Sequence, residues 1–400
     1  MKFGIIKERK NPPDQRVVFS PQALKRLSEA YPEAQIAVES SEIRIFKDEE
    51  YTALGFEVTT DLSDCDVLFG VKEVPVEALI PNKKYFFFSH TIKKQPYNRA
   101  LLQAILEKNI QLFDHETIVD QNNTRLIGFG RYAGIVGVYN AFRTFGIKFE
   151  LFNLPKAQTL SGSAEIIEKL RRIVLPPIKI VVTGTGKAGM GVKEILDAIK
   201  IKSVTPHDFL TKKYASTVYT QIDVENYYKP LKAAGFDKQE FYTNPQAFTS
   251  DFEKFANVAE IYIPAHFYAS NAPHILTNEM LKSPQCNLKV VADVSCDVQG
   301  PIACTLRAST IAEPIYGYLP SQSREVDFFH PAAIAVMAVD NLPCELPRDA
   351  SEGFGEMFLK HVIPAFFNND KDGILQRAQI THNGHLTTRF KYLQDYVTEK

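Results

Sequence analysis

Residues suited to proton transfer follow several short apolar stretches in the N-terminal part of the sequence. Lys72 and Glu73 follow one stretch, His90 and Lys93 follow the next, and Glu116 follows a third. A lysine and a histidine that face one pocket suit acid–base catalysis, because burial and neighbouring charge can bring a lysine pKa down towards working pH. Any one such residue is more often a solvated loop charge. The hypothesis therefore depends on successive strands delivering these groups to one edge of a sheet.

The elements that must position these residues form an α/β pattern. Strands are predicted at 2–6, 35–39, 67–71, 85–89, 110–114 and 125–128, and helices at 21–31, 48–54 and 97–108. Strands that alternate with helices predict a parallel sheet covered on both faces, and ligands bind beyond the carboxyl ends of such strands. Arg16, in the loop before the first helix, and Lys93 are cations that could hold carboxylates there.

A second candidate site lies near the middle of the chain, where an apolar stretch at 178–182 leads through a glycine-rich turn into a helix. Gly184, Gly186 and Gly189 form the G-x-G-x-x-G pattern in the strand–turn–helix context that a dinucleotide needs. The phosphates would bind the free N–H groups at the start of the helix. The predicted cofactor-binding residues of this loop are Gly184, Thr185, Gly186, Lys187, Ala188 and Gly189.

An acidic residue beyond the second strand of such a unit commonly bonds the ribose 2′-hydroxyl of NAD. Asp208 occupies the end of the next predicted strand, but it comes late and could equally be a helix N-cap, so it leaves NAD and NADP open. Residues 214–252 are polar and aromatic without a clean period and are predicted to be an insertion. Further strands are predicted at 260–264 and 288–292.

Small residues within 126–146 predict a long buried helix, which we place at the domain boundary. The predicted domains are 1–137 plus 341–400, for substrate binding and catalysis, and 138–340, for the dinucleotide. Helices predicted at 351–367 and 387–396 would return to cover the first domain.

Composition excludes several classes of protein. The 400 residues are 45% hydrophobic and 23% charged, as in an ordinary globular protein with two or three domains. A net charge of −1 and a pI near 6.8 provide no field for nucleic acid or an anionic membrane. With no signal-peptide pattern and no membrane-spanning apolar run, a cytoplasmic protein is expected. The five cysteines form no C-x-x-C pair, so neither a disulfide framework nor a metal site is predicted.

Motifs along nearly the whole chain resemble the lysine-forming saccharopine dehydrogenases, above all the lysine-ketoglutarate reductase domain of the bifunctional animal and plant enzyme. They are Gly-Val-Lys72-Glu73-Val-Pro, Phe-Ser-His90-Thr-Ile-Lys93, Phe-Asp-His-Glu116, Arg125-Leu-Ile-Gly-Phe-Gly-Arg, Asp293-Val-Ser-Cys-Asp and Val-Asp340-Asn-Leu-Pro-Cys-Glu-Leu-Pro. The wider superfamily includes alanine dehydrogenase and proton-translocating transhydrogenase. The resemblance therefore implies two Rossmann-like domains, parallel sheets flanked by helices, with an active-site cleft between them.

The reaction implied is reversible: lysine condenses with 2-oxoglutarate through its ε-amine, and NAD(P)H reduces the imine to saccharopine. By match of motif, Lys72 and His90 are the acid–base pair and Glu73 and Glu116 tune it. The resemblance further implies that Arg16, Lys93 and Arg125 hold substrate carboxylates, and that Asp340 lies near cofactor and substrate groups. The segment at 264–268 and the insertion at 214–252 depart from the family pattern. Both bear on substrate specificity.

Other functions remain open from the sequence. Alanine dehydrogenase would use a similarly placed lysine and histidine but is expected to lack the Asp-Asn-Leu-Pro segment at 340–343. Another opine-type amino acid dehydrogenase is a further alternative. A non-catalytic nucleotide-binding module would keep the glycine loop and lose Lys72 and His90, which are both present. We expect small-molecule partners only, and a monomer or a homodimer.

Overall fold

The computed structural model describes residues 1–232 and 235–399, and its contacts separate the chain into two compact units. The first unit is Met1–Phe129 with Pro347–Lys400, and the second is Gly130–Leu346. The predicted division at 137/138 instead falls inside one continuous helix, Gly130–Lys148.

The first unit contains a six-stranded sheet in which every neighbouring pair is parallel. The strands, in the spatial order β3-β2-β1-β4-β5-β6, are β1 Lys2–Ile5, β2 Gln35–Glu39, β3 Glu57–Thr59, β4 Val67–Phe69, β5 Lys84–Phe87 and β6 Gln111–Asp114. The chain crosses from one side of β1 to the other between β3 and β4. The carboxyl ends of β1, β4, β5 and β6 therefore lie side by side, as the predicted site requires.

Helices cover this sheet. Those before Gly130 are α1 Pro21–Ala30, α2 Asp48–Thr52 and α3 Arg99–Glu107. The Ser20 hydroxyl caps α1 by accepting a hydrogen bond from Ala23 N–H at 3.2 Å. The strand predicted at 125–128 is wrong: only an isolated bridge from Val119 to Arg125 forms there. Gly128, at the end of this short stretch, weakens any strand there.

The C-terminal segment returns to the first unit. Phe354 and Phe358 of this segment lie in the same hydrophobic core as Phe19 and Phe69. The Phe358 ring meets the Phe19 ring edge-on at a centroid distance of 5.5 Å and the Phe69 ring at 5.7 Å. The single helix predicted at 351–367 is two helices, because Val362 and Pro364 interrupt the run. The helices and strands of the segment are α12 Pro347–His361, α13 Ile363–Phe367, α14 Ile374–Ala378, β17 Thr381–His382, β18 His385–Leu386 and α15 Gln394–Thr398.

The second unit contains an eight-stranded sheet in the order β15-β14-β16-β13-β12-β7-β9-β8. Its central strands are parallel, and β14 runs antiparallel to both neighbours at one edge. The strands are β7 Lys179–Thr183, β8 Lys202–Ser203, β9 Val218–Ile222, β12 Ile261–Pro264, β13 Val290–Ala292, β14 Ile315–Leu319, β15 Arg324–Val326 and β16 Ile334–Met337, with a separate hairpin of β10 Tyr228–Pro230 and β11 Phe248–Ser250.

The helices of the second unit are α4 Gly130–Lys148, α5 Ser163–Arg171, α6 Lys187–Ala198, α7 Pro206–Thr211, α8 Val224–Tyr227, α9 Lys238–Thr243, α10 Glu253–Ala256 and α11 Asn278–Lys282. α4 packs closely on α6. A Cβ on Gly134 would lie 2.0 Å from the Ala188 carbonyl oxygen, and one on Gly191 would lie 2.1 Å from the Arg131 carbonyl oxygen. The small residues predicted from the sequence are therefore needed for this contact.

The structure confirms the predicted fold class: parallel sheets flanked by helices in both units. The prediction that the whole of 214–252 is an insertion is wrong, because β9 lies in this stretch and pairs with β7 in the main sheet. No helix in 1–232 or 235–399 combines the length and apolar composition needed to cross a lipid bilayer.

Candidate functional site

In the first unit, the carboxyl ends of β4 and β5 bring Glu73 and His90 together. The two strands are parallel neighbours. Their pairing continues past the strand ends, where Phe88 N–H donates to the Val71 carbonyl. His90 then turns with φ 53° and ψ 13°, a left-handed conformation that is uncommon for a residue with a Cβ. Its Nδ1 lies 2.6 Å from Glu73 Oε1. Backbone strain of this kind clusters at functional sites.

Glu73 is a carboxylate that stays ionised. Burial acts to raise its pKa, but the hydrogen bond with His90 and the nearby charges of His90 and Lys10 outweigh burial and hold the pKa at about 2. The second oxygen of Glu73 lies 3.1 Å from Lys10 Nζ. A fixed carboxylate on Nδ1 sets the orientation of the His90 ring and leaves Nε2 to exchange a proton.

Lys72 is positioned through its backbone by Glu8. Val71 N–H donates to Glu8 Oε1 at 2.7 Å and Lys72 N–H donates to Glu8 Oε2 at 2.8 Å. The charge of Lys72 helps to lower the pKa of Asp14, so the Lys72 side chain lies near that acid. Burial, reinforced by the charge of Asp14, raises the pKa of Glu8 to about 8. The structure thus adds Glu8 and Asp14 to the surroundings of Lys72. The only sequence signal for Glu8 was its place after β1.

Lys93 and Arg125 share one buried carboxylate. Lys93 Nζ and Arg125 Nη2 each lie 3.2 Å from Glu116 Oε1, and both cationic side chains are about half exposed, at 50% and 47%. Burial acts to raise the pKa of Glu116, but the charges of Lys93 and Arg125 outweigh burial and lower it. His90 contributes to the same lowering, so its ring lies within electrostatic reach. The structure therefore groups Lys93, Glu116 and Arg125 beside the His90–Glu73 pair.

Arg16 has a different environment from the other two predicted carboxylate ligands. It is 2% exposed, and its Nε and Nη2 donate to the two Asp14 oxygens at 3.0 and 2.6 Å. Its guanidinium lies 4.3 Å from the centre of the Phe129 ring. Burial acts to raise the pKa of Asp14, but the charge and hydrogen bonds of Arg16 outweigh burial and hold the pKa at about 2. Arg16 is thus part of a buried ion pair.

In the second unit, the glycine loop has the shape that a dinucleotide needs. Gly184 has φ +98°, and a Cβ there would lie 2.6 Å from the Ala265 carbonyl oxygen. A Cβ on Gly189 would lie 2.0 Å from the Gly184 carbonyl oxygen, whereas a Cβ on Gly186 would meet nothing within 4 Å. The first and third glycines therefore close the turn onto β12 and α6. The second keeps a surface open, as close approach of a diphosphate requires.

The start of α6 is exposed beside this open surface. Thr185, Gly186 and Lys187 are exposed, and α6 has no side-chain cap at its N-terminus. The free N–H groups and the positive end of the helix dipole favour an anion there. Ala188 is half-buried and supports the loop through its backbone contact with α4. The loop residues thus fit the diphosphate of a dinucleotide.

Asp208 lies one strand further from the loop than the prediction assumed. It is in α7, where Thr205 is the N-cap, and its Oδ2 pairs with Lys212 Nζ at 3.0 Å. α7 follows β8, an edge strand that pairs with β9. β7 lies between β12 and β9, and Asp223 directly follows β9. Asp340, the other acidic residue predicted near the cofactor, is exposed and follows β16 closely.

Comparison with known proteins identifies the family. The model of the alanine dehydrogenase/PNT N-terminal domain matches residues 4–136, and that of the alanine dehydrogenase/PNT C-terminal domain matches residues 171–391. The chain belongs to the alanine dehydrogenase/PNT family. The family depends on nicotinamide dinucleotides, and one relative of the chain is named for NAD(+), so a nicotinamide dinucleotide is the cofactor.

Over the aligned residues, curated relatives are between 22% and 28% identical to the chain. Alpha-aminoadipic semialdehyde synthase of Arabidopsis thaliana is 28% identical over 98% of this chain, and the mitochondrial enzyme of Mus musculus is 27% identical over 98%. The chain spans only 41% and 47% of their lengths. Saccharopine dehydrogenase [NAD(+), L-lysine-forming] of Schizosaccharomyces pombe is 25% identical, with 88% of this chain and 90% of that protein aligned.

Solved structures support the fold. L-alanine dehydrogenase aligns over 100% of both chains with a TM-score of 0.68 and 18% identity. Transhydrogenase from Sinorhizobium meliloti aligns over 97% of this chain and 100% of its own, with a TM-score of 0.61 and 16% identity. These two likenesses support the fold, and the family models together with the curated relatives place the chain among the amino acid dehydrogenases.

Proposed function

We propose that the chain is a lysine-forming saccharopine dehydrogenase, which reversibly joins lysine and 2-oxoglutarate to form saccharopine with NAD(P)H. The observation that carries the proposal is the group around Glu116. Two half-exposed cations, Lys93 and Arg125, share a single carboxylate oxygen beside the His90–Glu73 pair. This group keeps an excess positive charge, which suits a substrate rich in carboxylates more than it suits pyruvate with ammonia. The similarity to alpha-aminoadipic semialdehyde synthase and to lysine-forming saccharopine dehydrogenase also supports the proposal.

The reaction needs proton transfers that these side chains can perform. The lysine ε-amine attacks the keto carbon of 2-oxoglutarate, the carbonyl oxygen leaves as water, and hydride addition to the imine carbon is matched by a proton on nitrogen. A bound nicotinamide dinucleotide supplies the hydride. In this proposal Lys72 and His90 move the protons, and Glu73 orients His90 through Nδ1. Lys93 and Arg125 bind substrate carboxylates. Arg16 contributes indirectly: it holds Asp14 in an ion pair, and Asp14 lies near Lys72.

The cofactor contacts in this proposal lie in the second unit. The exposed N–H groups of Gly186 and Lys187 bind the diphosphate, while Thr185 and Asp340 are further polar contacts of the dinucleotide. Ala188 and Gly189 keep the α6 start close to β7 and α4.

The assay that tests the proposal follows cofactor absorbance with each substrate pair. Oxidation of NADH or NADPH is expected with lysine plus 2-oxoglutarate and not with pyruvate plus ammonia. The reverse result would make alanine dehydrogenase the better assignment. If neither pair, nor other amino acids offered with 2-oxoglutarate or pyruvate, consumes cofactor, the proposed reaction is wrong.

Variants test the roles of the proton-transfer pair. Lys72→Met and His90→Gln should lower kcat by about 10²–10⁴-fold, the usual contribution of general acid–base catalysis, while NADH binding by fluorescence stays unchanged. Lys25→Met is the matched control, because this half-exposed lysine of the same unit only faces Glu29 at 4.0 Å on α1. Unchanged turnover in both site variants would refute the assigned roles.

A further inference from the structure

A cleft of about 560 Å³ lies in the second unit, at the edge of the sheet opposite the glycine loop. Its walls come from residues within 170–175 at the end of α5, from 199–202 between α6 and β8, and from 216–217 before β9. β7, β8 and β9 are parallel and these segments precede them, so the cleft is at their amino ends. The glycine loop follows the carboxyl end of β7. The cleft is therefore separate from the surface assigned to the dinucleotide.

One part of the cleft is apolar. The apolar side chains that line it are Leu170, Ile173, Leu175, Ile199 and Ile201. All except Leu170 are partly exposed. Small-molecule sites are concave, mostly apolar and roughly 300–1,000 Å³ in volume. The size and the walls of this cleft therefore suit a small molecule whose apolar body would cover these side chains.

The charged side chains of the cleft are all cations. They are Arg171, Lys200 and Lys202, and no aspartate or glutamate among residues 1–232 and 235–399 lines the cleft. Within the same described residues, none of these three cations forms an ion pair with a carboxylate. Three cations without a nearby opposite charge give the cleft a positive potential, which attracts an anion.

The backbone fixes where these cations lie. Arg171 Nε and Nη2 donate to the Ala198 carbonyl at the end of α6, at 3.2 and 2.8 Å, which orients the guanidinium plane. Lys200 adopts φ 64° where the chain turns from α6 towards β8. Lys202 begins β8 and pairs with Val218 of β9. The cations are thus held around the apolar walls by regular structure, and an anion bound there meets a preformed site.

We propose that this cleft binds an organic anion that carries a carboxylate or phosphate group on an apolar body the size of an octyl chain. The anionic group would meet the cations, and the apolar body would cover the isoleucine and leucine side chains. A protein partner fits less well, because a stable protein interface buries roughly 1,600 Å² and this recess holds only a few side chains. The inference goes beyond the proposed reaction and does not depend on it.

Isothermal titration calorimetry on the full chain tests the proposal with octanoate and octyl phosphate as probes. At least one of them should bind with one molecule per chain and a Kd of about 1 mM or tighter. A preference between the two identifies the head group. Acetate lacks the apolar body and 1-octanol lacks the charge, so each should bind at least about ten-fold more weakly. Saturating NADH should change the Kd of the probe by less than about two-fold, because its site is at the other edge of the sheet.

Charge-removing variants test the part assigned to the cations. Arg171→Gln and Lys202→Gln should each raise the Kd of the tighter probe by about three- to ten-fold, and the double variant should raise it more than about ten-fold. Arg172→Gln is the matched control, because this exposed neighbour pairs with Glu168 on α5 and does not line the cleft. Its Kd should stay within about two-fold of the wild type. Circular dichroism and NADH affinity check that each variant is folded.

Several results would overturn the proposal. These are no binding of either probe, displacement of the probe by NADH, or wild-type affinity in the double variant. If 1-octanol binds as tightly as the anions, the part assigned to charge is wrong, and if acetate does so, the part assigned to the apolar walls is wrong. If a probe binds as expected but lysine and 2-oxoglutarate are not turned over, the proposed reaction fails and the inference stands.

Discussion

Gly186→Ala should separate cofactor binding from folding. Gly186 has φ −77°, which any L-residue adopts, and an added Cβ would meet no atom within 4 Å. Alanine restricts the unfolded chain, which stabilises by about 0.4–1 kcal/mol. It is also a poorer N-cap than glycine by several tenths of a kcal/mol. The two effects nearly cancel, so the unfolding free energy should stay within about 1 kcal/mol of the wild type.

The same methyl group would lie on the open surface where the diphosphate must approach the backbone. Loss of that approach should weaken NADH binding at least ten-fold, equivalent to about 1.4 kcal/mol. Fluorescence titration gives the Kd, and urea unfolding gives the stability. Gly184→Ala is the contrasting variant, since φ +98° and a 2.6 Å clash with the Ala265 carbonyl predict loss of stability as well. Wild-type affinity in a stable Gly186→Ala protein would refute the placement of the diphosphate at this loop.

Four further outcomes are expected. Burial raises the pKa of Glu345 from 4.5 to about 7, so its contribution to stability is lost as pH rises between these values, by about 3 kcal/mol. Glu345→Gln, which keeps an acceptor for Asn140 Nδ2, should remove that loss in urea unfolding at pH 5 and pH 8. Gly134→Ala should unfold at lower temperature, because its Cβ would lie 2.0 Å from the Ala188 oxygen. Arg16→Gln should lower the unfolding free energy by about 3–5 kcal/mol, because it removes the guanidinium that pairs with the buried Asp14 carboxylate. Arg125→Gln should cost under about 1 kcal/mol and raise the KM for 2-oxoglutarate.

The α/β class could be predicted because apolar periodicity and glycine spacing are local signals. The run at 178–182 followed by Gly184, Gly186 and Gly189 predicted β7, the turn and α6, and the structure contains all three. Residues that follow strands were likewise placed correctly at one sheet edge, since parallel strands end side by side. His90 and Glu73 meet there although 17 residues separate them.

Strand neighbours could not be read from chain order. The prediction took the strand next along the chain after α6 as the neighbour of β7, and so chose Asp208. In the structure β8 has two residues at the sheet edge, and β9 is inserted between β8 and β7. β9 was missed because polar residues flank its five residues within an aromatic segment. Which strand pairs with which depends on long-range backbone hydrogen bonds that no local pattern encodes.

Ion pairing was the other information missing from the sequence, and it changes which cations are candidates for substrate. In the sequence, Arg16, Lys93 and Arg125 are equally good candidates for binding a substrate carboxylate. In the structure, Arg16 is buried and two of its nitrogens bond Asp14, so it stabilises the fold and is not available to a substrate. Lys93 and Arg125 differ because each is half-exposed and both share one oxygen of Glu116. In these pairs only the carboxylate is buried, and each cation is half-exposed, so one cation can leave the oxygen while the other stays on it. Lys93 or Arg125 can therefore turn to a substrate carboxylate at a lower cost than the fully buried Arg16 pair allows.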